Sequence, residues 1–306
     1  MEGILIIDKP AGITSHDVVA RVRRILQTKR VGHTGTLDPF ATGVMVILIG
    51  QATRLAQFLD KDEKEYEALV RFGFETDTGD KTGQMQNAEC RMQNEEIEKL
   101  FAATTWDDVF VGFRGEIEQT PPMYSAKKVD GKKLYEHARK GETIERKSVT
   151  ITIHELELLG DLRETDSGVG TWDLGLKVTC SAGTYIRTLA EDIGRKVGVG
   201  AHLAELRRTR VGKFGIDQSV TLEKLEQVED KQTALIPMEE AVSHLTAFTL
   251  NPDRVGKTKS GMSTRVFDAL FTVGQPIRMI DEDGKLIAIG AYDEAENSVR
   301  PKVVLV

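Results

Sequence analysis

Cysteine is nearly absent from this 306-residue sequence: there are two, Cys90 and Cys180, with no CxxC pair and no clustered histidines beside them. That excludes a disulfide scaffold and a thiolate zinc site, and no metal is expected. Long apolar runs are missing as well. "VMVILI" at 44–49 falls far short of the ~20 residues of a membrane span, and "MEGILIIDKP" lacks the basic start of a secretion signal, so the expected location is cytoplasmic. No repeat or low-complexity tract occurs, which removes solenoids and linker-rich proteins. What is left, 40% hydrophobic and 29% charged residues, is an ordinary globular composition, long enough for one large and one small domain.

Positive charge is also in deficit, the net being −7, which on its face argues against a nucleic-acid partner. The distribution reverses that impression. Between Asp17 and Asp60 lie 42 residues with a single acid, Asp38, alongside Arg21, Arg23, Arg24, Lys29, Arg30 and Arg54. At the chain's overall acid frequency about 7 would be expected there. Residues 120–147 carry eight Lys or Arg against four Asp or Glu, and 202–215 carry Arg207, Arg208, Arg210 and Lys213 against Glu205. Acids gather instead in 89–118 and 222–240. An acidic back with basic working surfaces suits a polyanion, although charge runs also arise as plain solvated faces.

Periodicity supplies the organisation. "GILIID" (3–8) and "VMVILIG" (44–50) read as buried strands, and "EYEALVRFGF" (65–74) alternates with Tyr66 on the apolar side. Ser15 reads as the N-cap of a helix whose inner face is Val18, Val19, Val22, Ile25 and Leu26. Helices are also predicted near 51–59 and 94–101, strands at 149–158 and 172–180, and a helix over 184–194 capped by Thr184. Strands and helices interleave without regular βαβ units, so the fold class is α+β with a mixed sheet. Residues 120–147 form a long basic excursion, and such excursions tend to be functional. From about 241 the pattern changes to short strands with an Asp283-Gly284 hairpin signal, a small all-β domain.

Asp38 sits in "GHTGTLDPFATG" (32–43), where Asp-Pro between glycines is ordinary turn chemistry. Yet the residue before proline is held extended, presenting its carboxylate from a stiff loop, and an acid on a phosphate-binding surface repels the ligand. No second local acid supports a two-carboxylate glycosidase, and no cluster supports metal-assisted phosphoryl chemistry. A lone nucleophile or base remains. Arg187, in the first turn of a predicted helix, is disfavoured by the dipole and asks for a carboxylate. Asp38 would then be held ionised with a lowered pKa, but Glu191, at i+4, is an equal candidate. Tyr66 and Tyr185 are core aromatics by default; in an RNA enzyme an aromatic beside the acid would stack an extruded base.

At this point the sequence resembles the bacterial TruB tRNA pseudouridine synthases. The likeness runs in order through "KPAGITSHDVV" (9–19), "VGHTGTLDPFATGV" (31–44), "KEYEALVRFGFETDTGD" (64–80), "QTPPMYSAKKVDGKKLYEHARKG" (119–141), "CSAGTYIRTLAEDIG" (180–194) and "AHLAELRRTRVG" (201–212). Phe40, usually Leu, and Lys213, often Pro, depart from it. The resemblance implies a catalytic domain over 1–240, with 120–147 an RNA-clamping insertion, and a PUA-like RNA-binding domain over 241–306. It implies isomerisation of the T-loop uridine at tRNA position 55 to pseudouridine, by base flipping and without a cofactor. Asp38 matches the catalytic aspartate, which attacks the sugar or assists deprotonation there, Tyr66 the tyrosine stacked on the flipped base, and Arg187 the arginine paired with the aspartate. His33 matches a histidine that helps extrude the uridine; Tyr185 and Leu206 fall in pocket motifs. Lys127 and Lys132 would meet phosphates, and Lys9 would contact substrate or support the loop. The implied partner is tRNA, through the T-arm and, for the C-terminal domain, the acceptor stem. The enzyme is expected to be a monomer with no obligatory protein partner and no membrane attachment. Two rival readings are a non-enzymatic RNA-binding or RNA-folding protein and the catalytic subunit of a guide-RNA particle.

Overall fold

Strands Gly3–Lys9 and Thr42–Ile49 are apolar at nearly every position because both of their faces are covered. Leu5, Ile7, Met45, Ile47 and Ile49 join the main core under helix Ser15–Ile25, while Ile4, Ile6, Val44, Val46 and Leu48 join a second core on the other side. The computed structural model describes residues 1–86, 94–125, 127–129, 131–138, 140–142, 144–165, 170–267 and 271–305; Cys90, Asp130 and Arg139 lie outside them. Seven strands make the spine of one sheet: Gly3–Lys9, Thr42–Ile49, Ala201–Val211, Lys64–Phe72, Trp172–Cys180, Val149–Leu158 and Gly115–Gln119, in that spatial order. Only the Thr42–Ile49 and Ala201–Val211 neighbours run parallel, so the sheet is mixed, as expected for the α+β class. Strand Lys64–Phe72 is one-sided: Tyr66, Ala68, Val70 and Phe72 enter the main core and Glu67 faces solvent.

Two local expectations are corrected. Thr14, not Ser15, caps the first helix, in a capping box with Asp17. Ser15 is buried, and its hydroxyl donates to the Leu37 carbonyl (3.0 Å) and accepts from the Leu37 amide (2.9 Å), so it holds the Asp38 loop instead. The later helix runs Ile186–Val197 and begins at Tyr185 without a side-chain cap; the Thr184 hydroxyl bonds back to the Ser181 carbonyl. The basic stretch 202–215 belongs mostly to an eleven-residue strand, Ala201–Val211, whose alternation is broken by register shifts at 203/205 and 208/210.

A second, five-stranded sheet follows, in the order Thr246–Thr249, Pro276–Ile280, Leu286–Asp293, Ser298–Val304 and Thr264–Arg265. One set of its side chains closes a small core of its own with Leu250, Ile277, Met279 and Val299. Another set, Leu286, Ile289, Val303 and Leu305, packs into the second core with Ile4, Leu48, Leu55 and Phe214, so apolar contact seats this sheet against the large one.

Candidate active site

The Asp38 loop joins the antiparallel strands Val31–Thr34 and Thr42–Ile49 and is tied down on every side. Lys9 is fully buried, and its ammonium donates to the carbonyls of Pro10 (2.9 Å), Pro39 (3.1 Å) and Ala41 (2.6 Å). Lys9 thus braces the Asp38 loop through three carbonyls, with no exposed surface in this structure. At Gly43, φ is +103° and a Cβ would lie 2.1 Å from the Arg208 carbonyl oxygen, so only glycine lets strand Ala201–Val211 pass here. Burial pushes the Lys9 pKa down to about 8, with Asp38 opposing the fall. Below pH 8 the strut is charged in both folded and unfolded chains. Between about 8 and 10.5 the unfolded chain binds the extra proton, so stability rises with pH across that window. Lys9→Met is expected to lose about 1–3 kcal/mol at neutral pH by urea denaturation, through its orphaned carbonyls, and to lack that rise.

Arg187 organises the site. It is 5% exposed and lies in the first turn of helix Ile186–Val197. Its Nε and Nη2 meet the two carboxylate oxygens of Asp38 at 3.0 and 3.2 Å. It also donates to the carbonyls of Thr78 (2.9 Å) and Tyr124 (2.7 Å) and stands 3.6 Å from Asp80. The sequence reading left Asp38 and Glu191 level as partners; the structure chooses Asp38, and Glu191 faces Arg195 at 3.9 Å. The helix start is fixed by Gln119, buried, whose amide donates to the Tyr185 carbonyl (3.0 Å) and accepts from the Tyr185 amide (2.8 Å). Asp80 and Gln119 were not singled out from the sequence: "TDTGD" reads as a turn, and a lone Gln carries no signal. Asp80 is buried and fixed by Thr78 and Thr82 hydroxyls at 3.0 and 2.5 Å.

The expected lowering of the Asp38 pKa is also corrected. About a third of its side-chain surface (32%) opens to the cavity, but the surrounding protein desolvates it, and that raises its pKa above the ordinary carboxylate value. Arg187 and Lys9 work against the rise, and Asp80 adds to it.

Asp38 stands between two cavities. The first, about 280 Å³, is walled by Tyr66, Tyr185, Leu206, Arg208 and Lys64 together with Asp38 and Arg187. Tyr66 is 6% exposed, and burial pushes its phenol upward, partly offset by Arg208, so the hydroxyl is protonated at neutral pH. Burial likewise raises the Tyr185 phenol above its ordinary value. It pushes the thiol of Cys180, the register partner of Lys64 on the next strand, up to about 11. Asp60 borders this cavity too, but with an exposed side chain, its carbonyl accepting from Lys64. The second cavity, about 590 Å³, is bounded by His16, Leu37, Phe40, Asp80, Tyr124 and Tyr135. Tyr124 and Tyr135 come from the 120–147 excursion, which folds back through a Tyr135 amide bond to the Ser125 carbonyl (3.1 Å).

Tyr66, Tyr185, Leu206 and Arg187 thus surround Asp38, whereas His33, Lys127 and Lys132 do not line either cavity. His33 is half-buried, edge-on to exposed His16 at 6.0 Å, and burial keeps its ring neutral by lowering its pKa. The basic stretches are also less free than their composition suggests. Arg21 is bound by Glu223 and Glu226, Arg207 by Asp8, and Arg208 is buried. Exposed Lys132, Lys140 and Lys147 remain on the excursion. Among the described residues no group of His, Cys, Asp and Glu is arranged to hold a metal ion, and no helix is long and apolar enough to cross a membrane.

Comparison with known proteins decides the family. Residues 23–186 match the TruB family pseudouridylate synthase N-terminal domain, and 187–243 match the tRNA pseudouridylate synthase B C-terminal domain. This chain belongs to the TruB family of pseudouridylate synthases. The tRNA pseudouridine synthase B of Aromatoleum aromaticum is 43% identical over 305 residues, covering 99% of this chain and 92% of that one. That of Geobacillus kaustophilus is 46% identical over 269 residues, covering 87% and 92%. Among solved structures, a chain of a Cbf5-Nop10-Gar1 complex superposes with a TM-score of 0.71 at 28% identity, over 99% of this TruB-family chain and 85% of its own. One of an H/ACA RNP bound to a substrate RNA gives 0.70 at 27% identity, with the same coverage.

Proposed function

We propose that this chain isomerises the T-loop uridine at position 55 of tRNA to pseudouridine, with Asp38, Tyr66 and Arg187 as its catalytic set. The carrying observation is a half-buried carboxylate, Asp38, gripped by Arg187 through both oxygens and lining the same cavity as the Tyr66 and Tyr185 rings. An extruded uridine with its base on Tyr66 presents its sugar to Asp38. Asp38 then attacks C1′ or takes a neighbouring sugar proton, N1–C1′ breaks, the base turns, and C5 bonds to C1′ as its proton leaves. The reaction conserves every atom and electron, so no cofactor enters. Tyr185 and Leu206 shape the pocket, and His33, neutral beside His16, takes the uridine's place in the RNA stack.

Lys127 and Lys132 sit on the excursion that supplies Tyr124 and Tyr135, so the chain carries its own clamp over the T-arm and acts as a monomer without a protein partner. Residues 1–240 form the catalytic unit and 241–306 a PUA-like unit that reaches the acceptor stem. A T-arm stem-loop is therefore expected to be modified, with a higher KM than whole tRNA; equal KM values would remove the acceptor-stem contact. Phosphate contact by exposed lysines also makes binding fall steeply with salt. Lys132→Gln and Lys140→Gln are each expected to flatten the log–log salt slope by about 0.7–0.9, measured by filter binding. Salt-independent affinity would contradict the assignment of this surface.

A further inference from the structure

Buried cations ordinarily have carboxylate partners, because an unpaired charge out of water is costly. Lys64 and Arg208 do not. Lys64 is 7% exposed and its ammonium donates to the carbonyls of Asp60 (3.3 Å) and Asp62 (2.7 Å). Arg208 is 1% exposed and donates to the carbonyls of Val44 (2.8 Å) and Gly35 (3.2 Å). Neither makes an ion pair among the described residues, yet both line the cavity shared by Asp38 and Tyr66. They flank Tyr66: Lys64 is two residues before it on the same face of its strand, and Arg208 is its register partner on the next strand. Gly35 closes over both; a Cβ there would lie 3.4 Å from Lys64 Cε and 3.6 Å from Arg208 Nη1.

The reaction supplies the missing anion. In the resting site the negative charge is on Asp38, gripped by Arg187. When N1–C1′ breaks, its electron pair leaves with the base and spreads from N1 onto O2 and O4, while Asp38 becomes bonded to C1′ or to the sugar proton. When C5 donates its electrons to C1′, Asp38 recovers its charge, and the proton lost from C5 is balanced by the one N1 gains. The charge thus moves from the Arg187 side of the cavity to the Tyr66 side and back. We propose that Lys64 and Arg208 form a fixed electropositive wall that stabilises the departing uracil anion. The inference rests on the function proposed above. Held by carbonyls, the two cations need no reorganisation as the charge arrives, the condition under which such stabilisation is strongest.

The test compares Lys64→Met with wild type, in single-turnover reactions on RNA bearing uridine or 5-fluorouridine at the target position. Fluorine makes the departing base a more stable anion that needs less help, and consumption of the target nucleoside reports N1–C1′ cleavage for both. Lys64→Met is expected to slow cleavage of uridine about 100-fold, the effect of removing one preorganised stabiliser, and that of 5-fluorouridine about 10-fold or less. Lys64→Arg should restore most of the rate. If Lys64→Met does not fold, Lys64→Gln, which keeps a donor for the Asp62 carbonyl, serves in its place. Equal losses on both RNAs, or no loss on uridine, would overturn the electrostatic role. Wild type inactive on the uridine RNA would overturn the functional reading, and this inference with it.

Discussion

Asp38→Asn is expected to abolish isomerisation, lowering the single-turnover rate by on the order of 10⁴-fold or more, while tRNA affinity stays within a few-fold. Asparagine keeps the shape of the side chain and an oxygen for Arg187, but neither attacks carbon nor accepts the sugar proton. Neither neighbouring acid replaces it: Asp80 is held by the Thr78 and Thr82 hydroxyls and does not line the cavity of Tyr66, and the Asp60 side chain is exposed. The same variant should not lose stability at neutral pH. Because burial raises the Asp38 pKa, the folded chain holds more protons than the unfolded one just above pH 3.8, and stability falls as pH rises through that window. At pH 7 the wild type carries this cost and the asparagine variant does not, so its melting temperature is expected to equal or exceed that of wild type. A lower melting temperature with rate and affinity lost together would instead make Asp38 a structural residue.

Arg187→Met is expected to be the most damaging change to fold and chemistry together. It leaves Asp38 and Asp80 without their shared cation and the carbonyls of Thr78 and Tyr124 without a donor. Breaking a buried pair from one side costs about 3–5 kcal/mol, readable by urea denaturation. Activity should fall at least 10²–10³-fold. Removing the main influence that opposes the rise in the Asp38 pKa should also move the acid limb of the residual pH–rate profile to higher pH. Arg187→Lys keeps the charge but not the fork that reaches four groups, and should fall between the two. An acid limb unchanged in Arg187→Met would show that it does not report Asp38.

Asp38 and Arg187 are each legible in the sequence because each is anomalous where it stands, a lone acid in a basic stretch and a cation at a helix start, while their pairing is not, since Glu191 at i+4 is an equal partner for Arg187 until the fold is known. The alternating strand around Tyr66 and the Asp283-Gly284 hairpin were legible because period-two patterning and turn chemistry are local signals. Strand Ala201–Val211 was not, since two register shifts break its alternation and its arginines read as surface charge. Buried Lys9, Lys64 and Arg208 were hidden for a related reason. A cation satisfied by backbone carbonyls leaves no complementary acid in the sequence to betray it. Ser15 reads as a cap in the sequence because its hydroxyl's true partner, Leu37, is 22 residues away.

The most direct measurement is pseudouridine mapping of an unmodified tRNA transcript incubated with the purified chain alone, in EDTA and without guide RNA or any other protein. Pseudouridine at position 55 and at no other uridine is the expected result, with none formed by Asp38→Asn. No pseudouridine from a folded wild type that still binds the transcript would contradict it, leaving an RNA-binding protein or a guide-dependent subunit.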